Sequence, residues 1–343
     1  MKMTKPARPL LILLILVSLA SMNYAQRQDS GIEAPDFERV GQSGFQFFHL
    51  PTVARNAALA DVKGLINDNV TAVFGNPANL VQISNVGASF GMLNYVADIS
   101  YVTAAIAKNM GKWGAFGVHM ASLDAGELIR TQNIYDPMNE ITYRSGDMET
   151  FYAGDLLAGI SYAKLLTDRL SFGTNIRYFK ETLDSTDVTN WSFDYGLHFV
   201  TGFRTLTLSM VALNLGPDHE FTGFTELYGL PQSIRMPLDF RFGLSYDLIE
   251  NHEGGPHQLT AYLEGLHPND GPERVHSALE YNFMSIFSLR GGYKFNYDEQ
   301  GLTLGFGLNY NMGTINGRID YAYLDYGRLS TSHLFTLGFG LGK

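Results

Sequence analysis

Eight charged residues stand where a pore lining would need them: Arg177, Asp194, Asp239, Arg241, Glu280, Arg290, Arg318 and Asp320. Interspersed guanidinium and carboxylate groups line a polar channel or neutralise one another in a salt-bridged, plugged lumen, and the second is the plainer reading. Other groupings are weaker. The stretch "HQLTAYLEGLH" brings His257, Glu264 and His267 together, but at strand period His257 and Glu264 point to opposite faces, so no metal site is read there. The Gly-rich "GFGLGK" (338–343) opens no helix whose amides would hold a phosphate. No Ser-His-Asp set or carboxylate pair stands at a recognisable spacing, so neither catalysis nor a cofactor is expected. Asn76, Pro77 and Ala78 form a turn signal that either steers the chain into its first strand or acts in a plug or gate.

The elements that carry these charges are strands. In "LDFRFGLSYDL", Leu238, Phe240, Phe242, Leu244, Tyr246 and Leu248 alternate with Asp239, Arg241, Gly243, Ser245 and Asp247. The same period of two runs through "RLSFGTNIRYF", "WSFDYGLHF", "LTLGFGLNYN" and the closing "HLFTLGFGLGK". Such segments are about ten residues long, the length a tilted strand needs to cross a bilayer, against about five or six in soluble sheets. An apolar face toward lipid and a polar face toward a lumen is the transmembrane-barrel pattern. Fourteen segments are read, near 86–94, 99–107, 112–121, 156–164, 170–180, 191–200, 205–214, 238–248, 258–265, 274–283, 287–296, 302–311, 315–324 and 333–342. That near 99–107 alternates poorly. Tight connections such as 165–168, 284–286 and 312–314 alternate with longer ones at 122–155, 181–190, 215–237, 266–273 and 325–332. Short turns on one side and long loops on the other is the outer-membrane rule.

Residues 1–25 read as a secretory signal: Lys2, Lys5 and Arg8 precede an apolar run at 10–17 and small residues, with cleavage after Ala20 or Ala25. Removing those three cations leaves 21 basic against 34 acidic side chains, a net charge of −13, which excludes nucleic acid as a natural partner. There is no Cys, so neither a disulfide framework nor a thiolate metal site is available. The expected organisation is therefore a leader (1–25), a plug or periplasmic segment (26–85) and a barrel (86–343) in contact with outer-membrane lipid.

The stretch 45–80 resembles the start of PorV/PorQ-type outer-membrane proteins, within the FadL-like group of 14-stranded barrels. The matching pieces are "LPTVARNAALADV", "DNVTAVFGNPANL" and "NYVADIS", with Asn76, Pro77 and Ala78 at the family's Asn-Pro-Ala. "FDYGLHFVTGFRTLTLSMVALNLGP" (193–217) is similar to the family's mid-barrel hairpin, and "GRLSTSHLFTLGFGLG" to its last one. The chain departs at Ala60 and Asp61, where the family carries a Gly pair, and at Asn79, where it often carries Gly. The resemblance implies an outer-membrane protein of a Bacteroidota-like Gram-negative cell, serving type IX secretion through contacts with other secretion components and with cargo C-terminal domains. For FadL-like relatives it implies instead passage of long-chain fatty acids or other hydrophobic small molecules.

A fatty-acid path needs an apolar pocket beneath the loops, whereas the lumen face reads as Gly, Ser, Asn and charge. This favours the secretion reading, with loops 122–155 and 215–237 meeting protein partners. Both termini are expected on the periplasmic side. Phe242→Arg should block assembly and Gly243→Ser should be tolerated.

Overall fold

The computed structural model describes residues 41–342 apart from 42, 67–69, 137, 139, 140, 146–148, 185, 222–231 and 251–254. The leader, residues 26–40 and 67–69 of the expected plug segment, and Lys343 lie outside the described residues.

Fourteen antiparallel strands close into one barrel. Three come first: β1 (Val86–Asn94), β2 (Ser100–Asn109) and β3 (Ala115–Ile129). A separate hairpin, β4 (Gln132–Asp136) with β5 (Ile141–Ser145), stands in the next loop. The wall resumes with β6 (Thr150–Leu165), β7 (Leu170–Leu183), β8 (Thr186–Val200) and β9 (Thr207–Leu215). A second hairpin, β10 (His219–Phe221) with β11 (Gln232–Ile234), follows. The barrel is completed by β12 (Asp239–Ile249), β13 (His257–Pro268), β14 (Arg274–Phe283), β15 (Phe287–Phe295), β16 (Leu302–Met312), β17 (Ile315–Asp325) and β18 (Thr331–Leu341). β18 pairs with β1 from Val86↔Leu341 to Asn94↔His333, so no barrel edge is left open to template aggregation.

Every one of the fourteen segments read from alternation is a strand, including the poorly alternating one near 99–107. Its lipid face, with Ala104 and Ile106, is less apolar, while Tyr101, Thr103, Ala105 and Ala107 are buried inside. The alternation also sorts the faces correctly. Phe240, Phe242, Phe335, Leu337, Phe339 and Leu341 are exposed on the outer face of the barrel, and Asp239, Arg241 and Thr336 are buried in the lumen.

Two connection lengths differ from expectation. β7 and β8 run on to Leu183 and Thr186, so the long connection expected at 181–190 is a tight turn, braced by Thr182 Oγ1 donating to Asp187 at 2.9 Å. Likewise β3 and β6 shorten the loop expected at 122–155 to residues 130–149. These extensions interrupt the alternation, at the register shift between Asp124 and Glu127 and in the mostly polar run 186–190, so they read as loop in the sequence.

The described residues of 43–84 run down the inside of the barrel. Gly44 N donates to Arg235 O, and the side chains of Ser43, Gln46 and His49 gather on Asp270, all at the long-loop end. Further along, Ala54 N donates to Thr336 Oγ1 and Gly64 N to Glu264 Oε1. At the short-turn end, Asn109 Nδ2 donates to Ile83 O at 2.7 Å, and the chain turns into β1. The expectation that both termini lie on the periplasmic side concerns an N-terminus outside the described residues. The first described residues sit at the opposite end of the barrel from Leu341, because the plug crosses the full lumen before β1 begins.

The orientation is testable with single cysteines, since the chain has none of its own. By the rule that long loops face outward, Gly41→Cys and Met138→Cys should react with a membrane-impermeant maleimide on intact cells, and Thr314→Cys should not. Labelling only at residue 314 would invert the barrel.

Candidate functional site

The eight charged residues singled out in the sequence all face the lumen, and each joins one of three buried networks. In the first, Glu280 accepts from Arg55 Nε (2.9 Å), Arg290 Nε (2.7 Å) and the Tyr262 hydroxyl (3.0 Å). Arg290 also holds Asp320 at 2.7 Å, and Asp320 pairs with Arg318 at 2.6 Å. In the second, Arg241 reaches Asp239 (2.7 Å), Glu264 (3.1 Å) and the carbonyl of Asp61 (2.8 Å). Glu264 accepts the backbone amides of Lys63 and Gly64 at 3.1 and 2.7 Å. In the third, Asp194 pairs with Arg177 and accepts from Asn175 Nδ2 (2.7 Å) and Asn214 N (2.8 Å). Asn175 Nδ2 also donates to Val73 O at 2.9 Å. Each network contains a plug atom. Buried charges need partners with good geometry, and here the partners join the plug to the wall.

The plug partners Arg55, Asp61 and Lys63 were not legible as site residues, because nothing local says that a polar run will be enclosed. Glu264 drew notice only as a metal candidate. It faces inward, while His257 and His267 are exposed.

Asn76, Pro77 and Ala78 sit deep in the lumen. Asn76 caps the short 3₁₀ turn Pro77–Gln82, its Oδ1 accepting from Ala78 N at 3.0 Å, and Pro77 opens that turn without a lost donor. Asn76 Nδ2 donates to Gly64 O and to Leu197 O of β8, both at 3.0 Å. The motif lies directly on Gly173 of β7 and Gly196 of β8, which are cross-strand partners, and a side chain on either would overlap it. Asn79 Nδ2 donates to Ile66 O (3.0 Å) and Gly64 O (3.2 Å), so it ties two plug segments together where Gly could not. At Ala60 and Asp61 the backbone is left-handed, with φ of 57° and 59°. The tight turn is kept without glycine, at a cost of roughly 1–2 kcal/mol per residue.

The short helix α1 (Ala54–Ala58) lies against β15 to β18. Its Ala54, Ala57 and Ala58 are fully buried, small enough to lie close to Gly305 and Ala322. Below it, Val70, Val73, Leu80 and Ile83 fill the inner end against Ala105, Ala107, Ala115 and Ala163.

The expectation of a lumen made only of small, polar and charged residues fails at the outer end. Leu93, Phe179, Val188, Leu324 and Leu334 point inward there and meet Phe45, Phe47 and Phe48 of the plug. Phe48 and Phe45 stand edge-on to Phe179 at 5.0 and 4.8 Å. Four of these five stand beside an apolar or aromatic outward residue (Met92, Tyr178, Tyr323, Phe335), so alternation loses its contrast and the inward residues go unread.

Above this layer, at the long-loop end, is a chamber of about 670 Å³. Phe45, Phe47, Leu50, Tyr95, Leu123 and Tyr326 supply its apolar wall. That volume is in the range of small-molecule pockets, which run from about 300 to 1,000 Å³. Asp270 closes one side. Burial works to raise its pKa, but hydrogen bonds from His49 and Ser43 outweigh that and hold the carboxyl well below its usual range. A depressed carboxylate stabilises the fold above its ordinary titration and loses that contribution only as pH falls through the lowered value.

No protein-family model and no curated protein sequence matches this chain. Its fold is similar to that of the toluene transporter TodX of Pseudomonas putida, with a TM-score of 0.56 at 12% identity over 84% of this chain and 97% of that one. The toluene transporter TbuX of Ralstonia pickettii gives 0.55 at 13% identity over 88% and 100%. The protein has the closed 14-strand antiparallel architecture of FadL-like outer-membrane barrels.

Proposed function

We propose that this barrel is an outer-membrane conduit that takes apolar small molecules into the chamber above its plug. The observation that carries the reading is the chamber itself: an aromatic and aliphatic wall at the long-loop end, with the plug as its floor. The fold neighbours described as toluene transporters support it. The wall supplies hydrophobic burial of about 25 cal/mol per Å² of apolar surface, enough to concentrate a dilute hydrocarbon or fatty acid without any chemical step. Passage beyond the chamber requires the plug to yield, since the wall networks reach Arg55, Lys63, Gly64 and Val73 on it. Asn76, Pro77 and Ala78 then serve as the fixed base of the plug on β7 and β8.

Purified barrel in nanodiscs should bind toluene or a long-chain fatty acid, and Phe47→Glu should weaken that binding about tenfold or more, since a carboxylate would replace apolar wall. Heat-modifiable mobility on gels checks that the variant is folded. Absence of binding to the parent barrel would sink the proposal.

A second reading, a type IX secretion barrel of the PorV/PorQ kind, rests on the outer rim. β3, β6, β7 and β8 are 14 to 16 residues long and rise above the other strands, with the β4–β5 hairpin between them. Ile129 and Met138 are exposed there, as a protein-binding rim would have them. Deleting 128–144 separates the readings. Reduced surface attachment of C-terminal-domain cargo with intact insertion favours secretion, and unchanged attachment with altered uptake favours the conduit.

A further inference from the structure

We propose that the outer chamber selects apolar molecules that carry a protonated amine, held by the carboxylates of Asp155 and Glu181. The inference rests on the conduit reading and names its substrate class. Asp155 of β6 and Glu181 of β7 are direct cross-strand partners, and both line the chamber. Neither has an ion-pair or hydrogen-bond partner among the described residues. Like charges directly opposite each other on a sheet destabilise it, and every other inward carboxylate described above is bonded to a cation or an amide. This pair stands apart from that pattern, and it faces space that a ligand would fill.

A second observation points the same way. Tyr326 is 3% exposed and lines the opposite wall, yet its hydroxyl has no hydrogen-bond partner among the described residues. Its ring stands edge-on to Tyr95 at 5.3 Å, so the two rings form the aromatic wall that would face a ligand's apolar body. Arg274 also lines the chamber, but its guanidinium lies over the Tyr297 ring at 4.3 Å, and a single cation on that side faces two carboxylates on the other. Asp270 is already satisfied by Ser43, Gln46 and His49. The two facing acid side chains outnumber that cation among the described lining residues, an arrangement that suits an ammonium group better than a carboxylate.

The test uses the full barrel in zwitterionic-lipid nanodiscs and three ligands of similar size: 2-phenylethylamine, ethylbenzene and 3-phenylpropionate. Calorimetry near neutral pH should show the amine binding about tenfold tighter than ethylbenzene, the effect of one charge-assisted hydrogen bond. In Asp155→Asn/Glu181→Gln, two near-isosteric changes, the ratio of amine to ethylbenzene affinity should fall to about one. In Arg274→Gln the preference for the amine should persist. Tighter binding of the propionate than of the amine, or an amine preference that survives the double substitution, overturns the proposal. Binding of ethylbenzene with no preference for the amine overturns it alone. Failure of all three ligands overturns the conduit reading as well.

Discussion

Glu280→Ala should lower the stability of the folded barrel by about 3–5 kcal/mol, the usual consequence of removing one partner from a buried ion pair. Glu280 is 1% exposed and accepts from Arg55 on the plug and from Arg290 and Tyr262 on the wall. Without the carboxylate, two buried guanidinium groups lose their shared counter-charge, while Arg290 keeps its bond to Asp320. The temperature at which the gel mobility shifts from folded to unfolded should drop. Because Arg55 sits on α1, the plug should also loosen, and conductance across planar bilayers should rise. Glu280→Gln keeps an acceptor but not the charge, so it should fall between the parent and the Ala variant. A Glu280→Ala barrel with unchanged melting and unchanged conductance would show that the network neither stabilises the barrel nor holds the plug.

Phe242→Arg should block assembly. Phe242 is 46% exposed on the outer face of β12, between Met210 of β9 and Gly265 of β13. A cation there meets hydrocarbon, at about 2–4 kcal/mol near the bilayer midplane. Ser245→Ala on the lumen face of the same strand is the matched control and should fold normally. Gly243→Ser is no longer a neutral control. A Cβ at Gly243 would come within 2.7 Å of Leu65 Cδ1 on the plug, so the variant should insert but with a displaced plug. Proteolysis of the plug region would report it. Normal heat-modifiable mobility of Phe242→Arg would show that this face does not meet lipid.

The difference between Phe242 and Gly243 marks what sequence can say. Strand period sorted Phe242 outward and Gly243 inward, and the physical reason is local: a bilayer requires one apolar face on each strand, and period two writes that into consecutive residues. Strand number, order of faces and the enclosed position of Arg177, Asp194, Asp239, Arg241, Glu280, Arg290, Arg318 and Asp320 all follow from that one constraint. So does barrel closure, since the edge of an open sheet would leave backbone N–H and C=O groups unpaired in lipid.

What Gly243 faces did not follow from it. Residues 43–84 have no period, because their surroundings are set by strands up to 282 residues away, as with Ala54 and Thr336. Only the folded chain placed Asn76, Pro77 and Ala78 on Gly173 and Gly196, sent the plug from the long-loop end to the short-turn end, and set Arg55 on Glu280. The outer chamber was hidden for a related reason. Phe179 and Leu334 stand beside the outward Tyr178 and Phe335, so alternation carries no contrast there, and only tertiary contact brings Phe45 and Phe47 of the plug against them. Constraints imposed by the bilayer are written residue by residue along the strands, whereas the plug's placement and the chamber depend on which distant side chains meet inside the lumen.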